Sequence, residues 1–395
     1  MSLTIAEVIV RLVFPSAGLR VRIARYLESE RGKFCRYSPT LGWEGIPNAA
    51  QSFQYVDARC FVRQNQWGFR GTEFSKGIPL RKRIVVLGDS FVWGFGVNND
   101  EIFSEVMLHR ASTPIEVVNL GVPGYGNDQE LLLWQAQGRE WNPAEVLLVV
   151  DPWTDLFDGL HTLVYEAYQK PAFLLDTTGQ AHLINVPVPK SPPRPTQVPI
   201  PREREATGLT AFLIEHSDLA CVAISALSRY GPIRECFEKR GLILSRRAGY
   251  DCERALYSRK LSGPDDEAEA AWRLMTNLIG LLSADVKRAG AGLTLVAVPS
   301  PVQVYPELWN QFVQKQNQET GGTPKAFGAL DRTLPNERLR EIAQRLQIKF
   351  IDLLPDFQAA GRTNDSLYFP DNCHWTKAGN QLTAEVILRE MGMKH

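Results

Sequence analysis

Short, continuous apolar runs recur along this chain, each stopped by glycine, proline or an acidic residue. Ile84 to Leu87 stops at Gly88, Glu116 to Leu120 at Gly121, and Val146 to Val150 at Asp151-Pro152. Two more follow much later, Leu293 to Val298 before Pro299-Ser300-Pro301 and Lys349 to Leu353. Runs of this kind predict strands buried on both faces, as in a parallel sheet covered by helices. Between them the apolar positions fall at helical spacing. Ile102, Phe103, Val106 and Met107 predict a helix over 99–110, and Leu131, Leu132 and Trp134 one from Asp128 to about Trp141. Ala271, Leu274, Met275, Leu278, Leu281 and Leu282 predict a long helix over 265–289, opened by Pro264-Asp265 and closed by Gly290. Further helices are expected over 336–346 and from Gly379 to about Met391.

This alternation predicts an α/β fold of three layers, a doubly wound five-stranded parallel sheet with helices on both faces. Four regions follow from it. Residues 1–80 read as an irregular, aromatic- and arginine-rich lead-in that wraps the core, and 81–155 as the first part of the core. Residues 156–263 have no β-α rhythm and read as a large insertion, with seven prolines between Val186 and Arg202 that forbid helix. Its segment Ala206 to Tyr230 is apolar and helical, expected to fold onto the core or over the site. Residues 264–395 complete the core. There is no internal repeat.

Composition changes this picture little. At 395 residues and 44% apolar, the chain has ample material for one large core. Lys plus Arg equals Asp plus Glu at 44 each, so no basic surface points to nucleic acid. Six cysteines without a C-x-x-C pair exclude a disulfide scaffold and a thiolate zinc site. The six histidines, apart from His374, show no ligand spacing, and no metal or cofactor is expected. The apolar segment Ile5 to Phe14 is short and broken by Glu7 and Arg11, so it is neither a signal peptide nor a spanning helix as it stands.

The chemistry starts where the first core strand ends. Gly88-Asp89-Ser90-Phe91 places a hydroxyl at the carboxyl end of a strand, where open α/β sheets bind ligands. Alone, the triplet reads first as a turn with a helix cap. Gly88-Asp89-Ser90 resembles the first block of the SGNH, or GDSL-type, hydrolases, with Phe91 where leucine is usual. Asn119 to Gly124 resembles the family's glycine block, and Asp371-Asn372-Cys373-His374 its Asp-x-x-His block, in the family's order. Asn65 to Gly71 is similar to a segment preceding the serine block in one large group of these proteins, and is read as a structural loop. Aspartate and histidine three apart can meet across one turn, the carboxylate accepting from Nδ1 and leaving Nε2 for the serine proton.

The resemblance implies the flavodoxin-like SGNH fold and acyl transfer, with Ser90 as nucleophile, His374 as general base and acid, and Asp371 orienting the imidazole. It implies an oxyanion site made by the N–H groups of Ser90 and Gly124 and by an asparagine side chain. Here the chain departs, because Thr154-Asp155 stands where the family has Asn-Asp. Three outcomes are open: Thr154 donates, Asn127 of the neighbouring Asn127-Asp128 pair substitutes as a lesser candidate, or the site is weak. Cys373 is expected to be buried, and Asp89 to serve the backbone of the turn. The expected activity is a serine esterase cleaving an oxygen ester, such as an acetyl or short acyl group on a carbohydrate or other small molecule. The alternatives are O-acyl transfer to a carbohydrate hydroxyl and a non-catalytic binding protein on the same fold. Ahead of Ile5 the resemblance implies a membrane anchor; a short amphipathic helix packed on the domain is the other reading. The compartment stays open, cytoplasmic as the chain stands or periplasmic if an anchor is missing.

Overall fold

The computed structural model describes residues 6–8, 32–55, 58–164, 168–190, 217, 219, 255–259, 267–319, 330–363, 366–370 and 372–393. It divides into two compact units, one of residues 1–32, 165–167 and 193–253, the other of the remainder. In the first unit, residues 6–8 are helical and Glu7 accepts from Ser217 Oγ at 2.8 Å and Leu219 N at 3.0 Å. The predicted helix over 206–230 otherwise lies outside the described residues. Among those residues no helix is long and apolar enough to cross a membrane.

The second unit begins with two hairpins, β1 (Cys35–Ser38) with β2 (Gly42–Gly45) and β3 (Ala50–Tyr55) with β4 (Ala58–Arg63). The lead-in is therefore less irregular than its sequence suggests. Its strands are brief, and β4 alternates buried Ala58, Cys60 and Val62 with exposed Arg59, Phe61 and Arg63. Such short alternation is a weak signal without its partner strand.

The core sheet consists of β5 (Lys82–Leu87), β6 (Ile115–Asn119), β7 (Glu145–Val150), β12 (Gly292–Ala297) and β13 (Lys349–Asp352). Two short hairpins precede its last two strands in the chain: β8 (Leu163–Val164) with β9 (Tyr168–Gln169), and β10 (Ala172–Leu175) with β11 (Ala181–Ile184). All pairings in the core sheet are parallel and its spatial order is β13-β12-β7-β5-β6. In chain order that is 2-1-3-4-5, the flavodoxin-like arrangement, whose order reverses beside β5. Ile84, Val85, Val86 and Leu87 are fully buried because successive side chains serve opposite layers. Val85 and Leu87 join a core with α3 (Asn127–Ala136), α5 (Glu267–Arg288) and α8 (Leu334–Leu346). Ile84 and Val86 join another with α1 (Ser90–Trp93), α2 (Phe103–Arg110), α9 (Leu354–Gly361) and α10 (Lys377–Glu390). The remaining helices are α4 (Pro152–Asp158), α6 (Pro301–Val304) and α7 (Pro306–Glu319).

Arg70, from the loop segment read as structural, is fully buried. It donates to the carbonyls of Gly94 at 2.5 Å and Val97 at 2.8 Å and to Asn99 Oδ1 at 2.8 Å, with its guanidinium 4.9 Å from the Trp93 ring. The arginine so closes the end of α1, the helix that begins with Ser90. Replacing it with leucine leaves these acceptors buried without donors. Arg70→Leu is expected to lose roughly 3 kcal/mol or more of stability in urea unfolding; a loss under 1 kcal/mol would show that the clamp is dispensable.

Candidate active site

Asp89 caps α1: its Oδ1 accepts from Phe91 N at 2.8 Å, which sets Ser90 as the first residue of the helix at the carboxyl end of β5. Asp89 thus serves the backbone of the turn, as expected. The end of β6 and the loop after it are held against this turn by hydrogen bonds. Val122 N donates to Gly88 O at 3.1 Å. Asn119 Nδ2 donates to Val92 O at 2.6 Å and to Ser104 Oγ at 3.0 Å, while its Oδ1 accepts from Gly121 N at 2.8 Å. A Cβ on Gly121 would lie 2.4 Å from Trp93 N, so only glycine allows the two backbones to meet. Val122-Pro123-Gly124-Tyr125 then forms a turn closed by Tyr125 N to Val122 O at 3.2 Å. Proline at its second position and Gly124 at φ +74° in its third are the pattern of a type II turn.

His374 arrives from the far end of the chain, 284 residues from Ser90, and places Nε2 2.8 Å from Ser90 Oγ. Its Nδ1 lies 2.9 Å from the carbonyl oxygen of Asn372 and 3.1 Å from Asn372 Oδ1. With both Nδ1 neighbours acceptors, the hydrogen belongs on Nδ1 and the Nε2 lone pair faces the serine. Asn372 Oδ1 also accepts from His374 N at 3.0 Å. The ring stacks on Phe95 (4.1 Å between centroids, 17°) and meets Phe91 at 5.0 Å. Asp371 lies outside the described residues. Cys373 is exposed rather than buried. Its backbone is left-handed at φ +61°, which lets Asn372 and His374 both turn inward and leaves the side chain between them at the surface.

Thr154 sits on the first turn of α4, after β7, and its Oγ1 donates to Asp151 Oδ2 at 3.1 Å. Asn127 is buried, and its Nδ2 donates to Glu130 Oε2 at 2.7 Å. One amide hydrogen of this lesser candidate is thus already engaged inside α3. Asn372, Phe91 and Phe95 as neighbours of the imidazole, and Asp151 as acceptor for Thr154, had no part in the sequence reading.

Beside these groups lies a set of buried carboxyls: Asp89, Asp128, Glu130, Asp151 and Asp155 are each 6% exposed or less. Lys170, fully buried, forms an ion pair with Asp128. Burial pushes Asp89 up to about 8, helped by the Asp151 charge and opposed by the Phe91 N–H. Burial likewise pushes Asp151 up to about 6 against the hydrogen bonds from Trp153 and Thr154. Asp155 and Glu130 are raised well above the carboxylate range by burial first and by neighbouring carboxylates next. Among the described residues no grouping of three or more His, Cys, Asp or Glu could hold a metal ion.

Residues 252–394 match a family model described as "SGNH hydrolase-like domain, acetyltransferase AlgX". No curated protein matches the chain. Solved structures similar to it include a G-D-S-L family protein from Desulfitobacterium hafniense DCB-2, at 12% identity and TM-score 0.35, covering 78% of this chain and 98% of that one. LAE5, an alpha/beta hydrolase enzyme from the metagenome of Lake Arreo, Spain, is 10% identical at TM-score 0.39, covering 82% and 98%. Axe2, an acetylxylan esterase from Geobacillus stearothermophilus, is 11% identical at TM-score 0.36, covering 79% and 95%. Likeness at this level says nothing of substrate. The matched segment carries the histidine block and the last two strands of the 2-1-3-4-5 sheet, and it is this part of the chain that is similar to an SGNH hydrolase-like domain.

Proposed function

We propose that this protein is a serine acyl-transfer enzyme that cleaves an oxygen ester through an acyl-Ser90 intermediate. The observation that carries this reading is the 2.8 Å contact between Ser90 Oγ and His374 Nε2, with Nδ1 held by Asn372. In this reading Ser90 Oγ bonds to the ester carbonyl carbon as His374 Nε2 takes its proton. Asn372 accepts from Nδ1–H, and Asp371 stabilises the imidazolium. The oxyanion is received by the N–H groups of Ser90 and Gly124 and the Thr154 hydroxyl. Collapse breaks the carbon–oxygen bond of the leaving alcohol, which receives the proton from His374. Water, activated in turn by His374, then releases the acid and restores the serine.

A second reading replaces that water with the hydroxyl of a carbohydrate, so that an acetyl group is transferred. The acetyltransferase in the description of the matched family favours it. Incubation with p-nitrophenyl acetate and an added sugar separates the two readings. Free acetate alone, at a rate unaffected by the sugar, is expected of an esterase, and acetylated sugar seen by mass spectrometry is expected of a transferase. Labelling by a fluorophosphonate that is lost in Ser90→Ala tests both. A protein that neither reacts with the probe nor loses turnover in that variant would be a binding protein on this fold.

A further inference from the structure

Thr154 occupies the place of the family's oxyanion asparagine, yet its hydroxyl hydrogen points at a carboxylate. Asp151 caps α4 through Oδ1, which accepts from Trp153 N at 3.1 Å, while Oδ2 accepts from Thr154 Oγ1 at 3.1 Å. A hydroxyl has one hydrogen. As long as Oδ2 is a bare carboxylate oxygen, giving that hydrogen to another acceptor leaves two lone-pair oxygens facing each other in a buried setting, which is costly. Once Oδ2 carries a proton, the bond can reverse: the acid donates to Thr154 Oγ1, and the threonine hydrogen is free for a new acceptor.

We propose that Asp151 is a positioning residue for the oxyanion site, and that a proton exchanged within the buried carboxyl group decides whether Thr154 can donate to the reacting oxygen. The inference rests on the serine acyl-transfer reading given above. Its geometry is that of a switch with few moving parts. β5 and β7 are adjacent in the sheet, so Ser90, the first residue of α1, and Thr154, the third of α4, lie in the first turns of helices that leave neighbouring strand ends.

The surroundings of Asp151 favour the protonated form. From its own helix it faces Asp155, whose Oδ2 accepts from Asp151 N at 2.9 Å, and Asp158 stands one turn further on. From the turn after β5 it faces Asp89, from α3 Glu130 lies among the same carboxyls, and Tyr368 approaches from the segment before His374. None of these supplies a positive charge. Lys170, the buried cation of the region, is taken by Asp128. Burial drives the Asp151 carboxyl up to about 6, within reach of working pH. Below that value Asp151 is protonated and Thr154 is released; above it the carboxylate holds the hydroxyl.

The test is a double-mutant cycle on the full chain with p-nitrophenyl acetate as the probe, read as kcat/KM at pH 6 and pH 8. Asp151→Asn keeps an oxygen to cap Trp153 N and places an amide donor against Thr154, the permanent equivalent of the protonated acid. It is expected to raise kcat/KM at pH 8 by at least about 10-fold over the unaltered protein. Thr154→Val removes the hydroxyl, which as a full oxyanion donor is worth roughly 100- to 1000-fold. It is expected to cost at least about 10-fold more at pH 6 than at pH 8 in the native background, and equally at both pH values in the Asp151→Asn background. Ratios between variants at one pH cancel the protonation of His374. An equal Thr154→Val effect at both pH values in the native background would overturn the proposal, and it needs no Asp151 variant, so poor folding of Asp151→Asn would not rescue the idea. A Ser90→Ala control that turns over the probe like the unaltered protein would instead overturn the acyl-transfer reading itself, which keeps the two failures apart.

Discussion

Ser90→Ala is expected to abolish covalent reaction with a fluorophosphonate and to lower turnover of p-nitrophenyl acetate by about 10⁴- to 10⁶-fold, the range seen when a triad nucleophile is deleted. The reason lies in what Oγ has around it. A serine hydroxyl is a poor nucleophile until a base removes its proton during attack. His374 Nε2 is 2.8 Å away, its tautomer fixed by two acceptors at Nδ1, and its ring is held flat on Phe95. His374→Ala should therefore fall by a similar factor, and the double variant hardly further, because the two groups act in one step. Thermal stability should be nearly unchanged in Ser90→Ala, as the hydroxyl is only half-buried and the cap of α1 comes from Asp89. Activity within tenfold of the unaltered protein in both single variants would remove Ser90 from the mechanism.

Lys170→Met should be the most destabilising change, by about 3–5 kcal/mol at pH 8, because it strands Asp128 as a buried charge without its partner. Both side chains are fully buried, and Glu130, Asp155 and Asp89 lie in the same region. The loss should depend on pH, and the sign can be worked out. Burial already raises the Asp128 carboxyl above its ordinary value, with Lys170 opposing. Without the lysine the folded state holds that proton still more tightly. A carboxyl raised on folding gives its full stability below the unfolded value near 4 and loses it as pH rises through the folded value. The deficit of Lys170→Met should therefore shrink from pH 8 toward pH 5. The unaltered protein should follow the same trend, losing stability as Asp151 and then Asp89 ionise between about pH 4 and 8. Urea unfolding across that window decides it, and a deficit constant with pH would refute the account.

Much of the frame was legible without coordinates. The five strand runs coincide with β5, β6, β7, β12 and β13 to within two residues at either end, and the helix over 265–289 with Glu267–Arg288. Local periodicity determines these elements, because runs that are apolar throughout or apolar at every third or fourth position can hide those side chains in only one way. Short elements escaped. The two hairpins of 35–63 and the eight-residue α9 have too few turns or pairs for a period to stand out, and α7 carries its apolar residues only from Leu308 to Val313. Helix 128–141 also ends early, at Ala136, and closes in a tighter turn over Gly138–Trp141.

The site divides along the same line. By itself the sequence determined that a serine leaves the first core strand, that a Pro-Gly turn follows the second, and that threonine stands where asparagine is usual, since each is a matter of residue type at a strand end. Only the tertiary structure decided which of these ends meet. The sheet order sets β5 between β6 and β7, and α10 carries the preceding His374 back to Ser90 across 284 residues. It also decided that Asn372 and Phe95 hold the imidazole, and that Asp151 holds Thr154 amid carboxyls that the sequence scatters from 89 to 155. Contacts at such separation depend on the pairing of strands far apart in the chain and on the burial that pairing imposes, which no local pattern records.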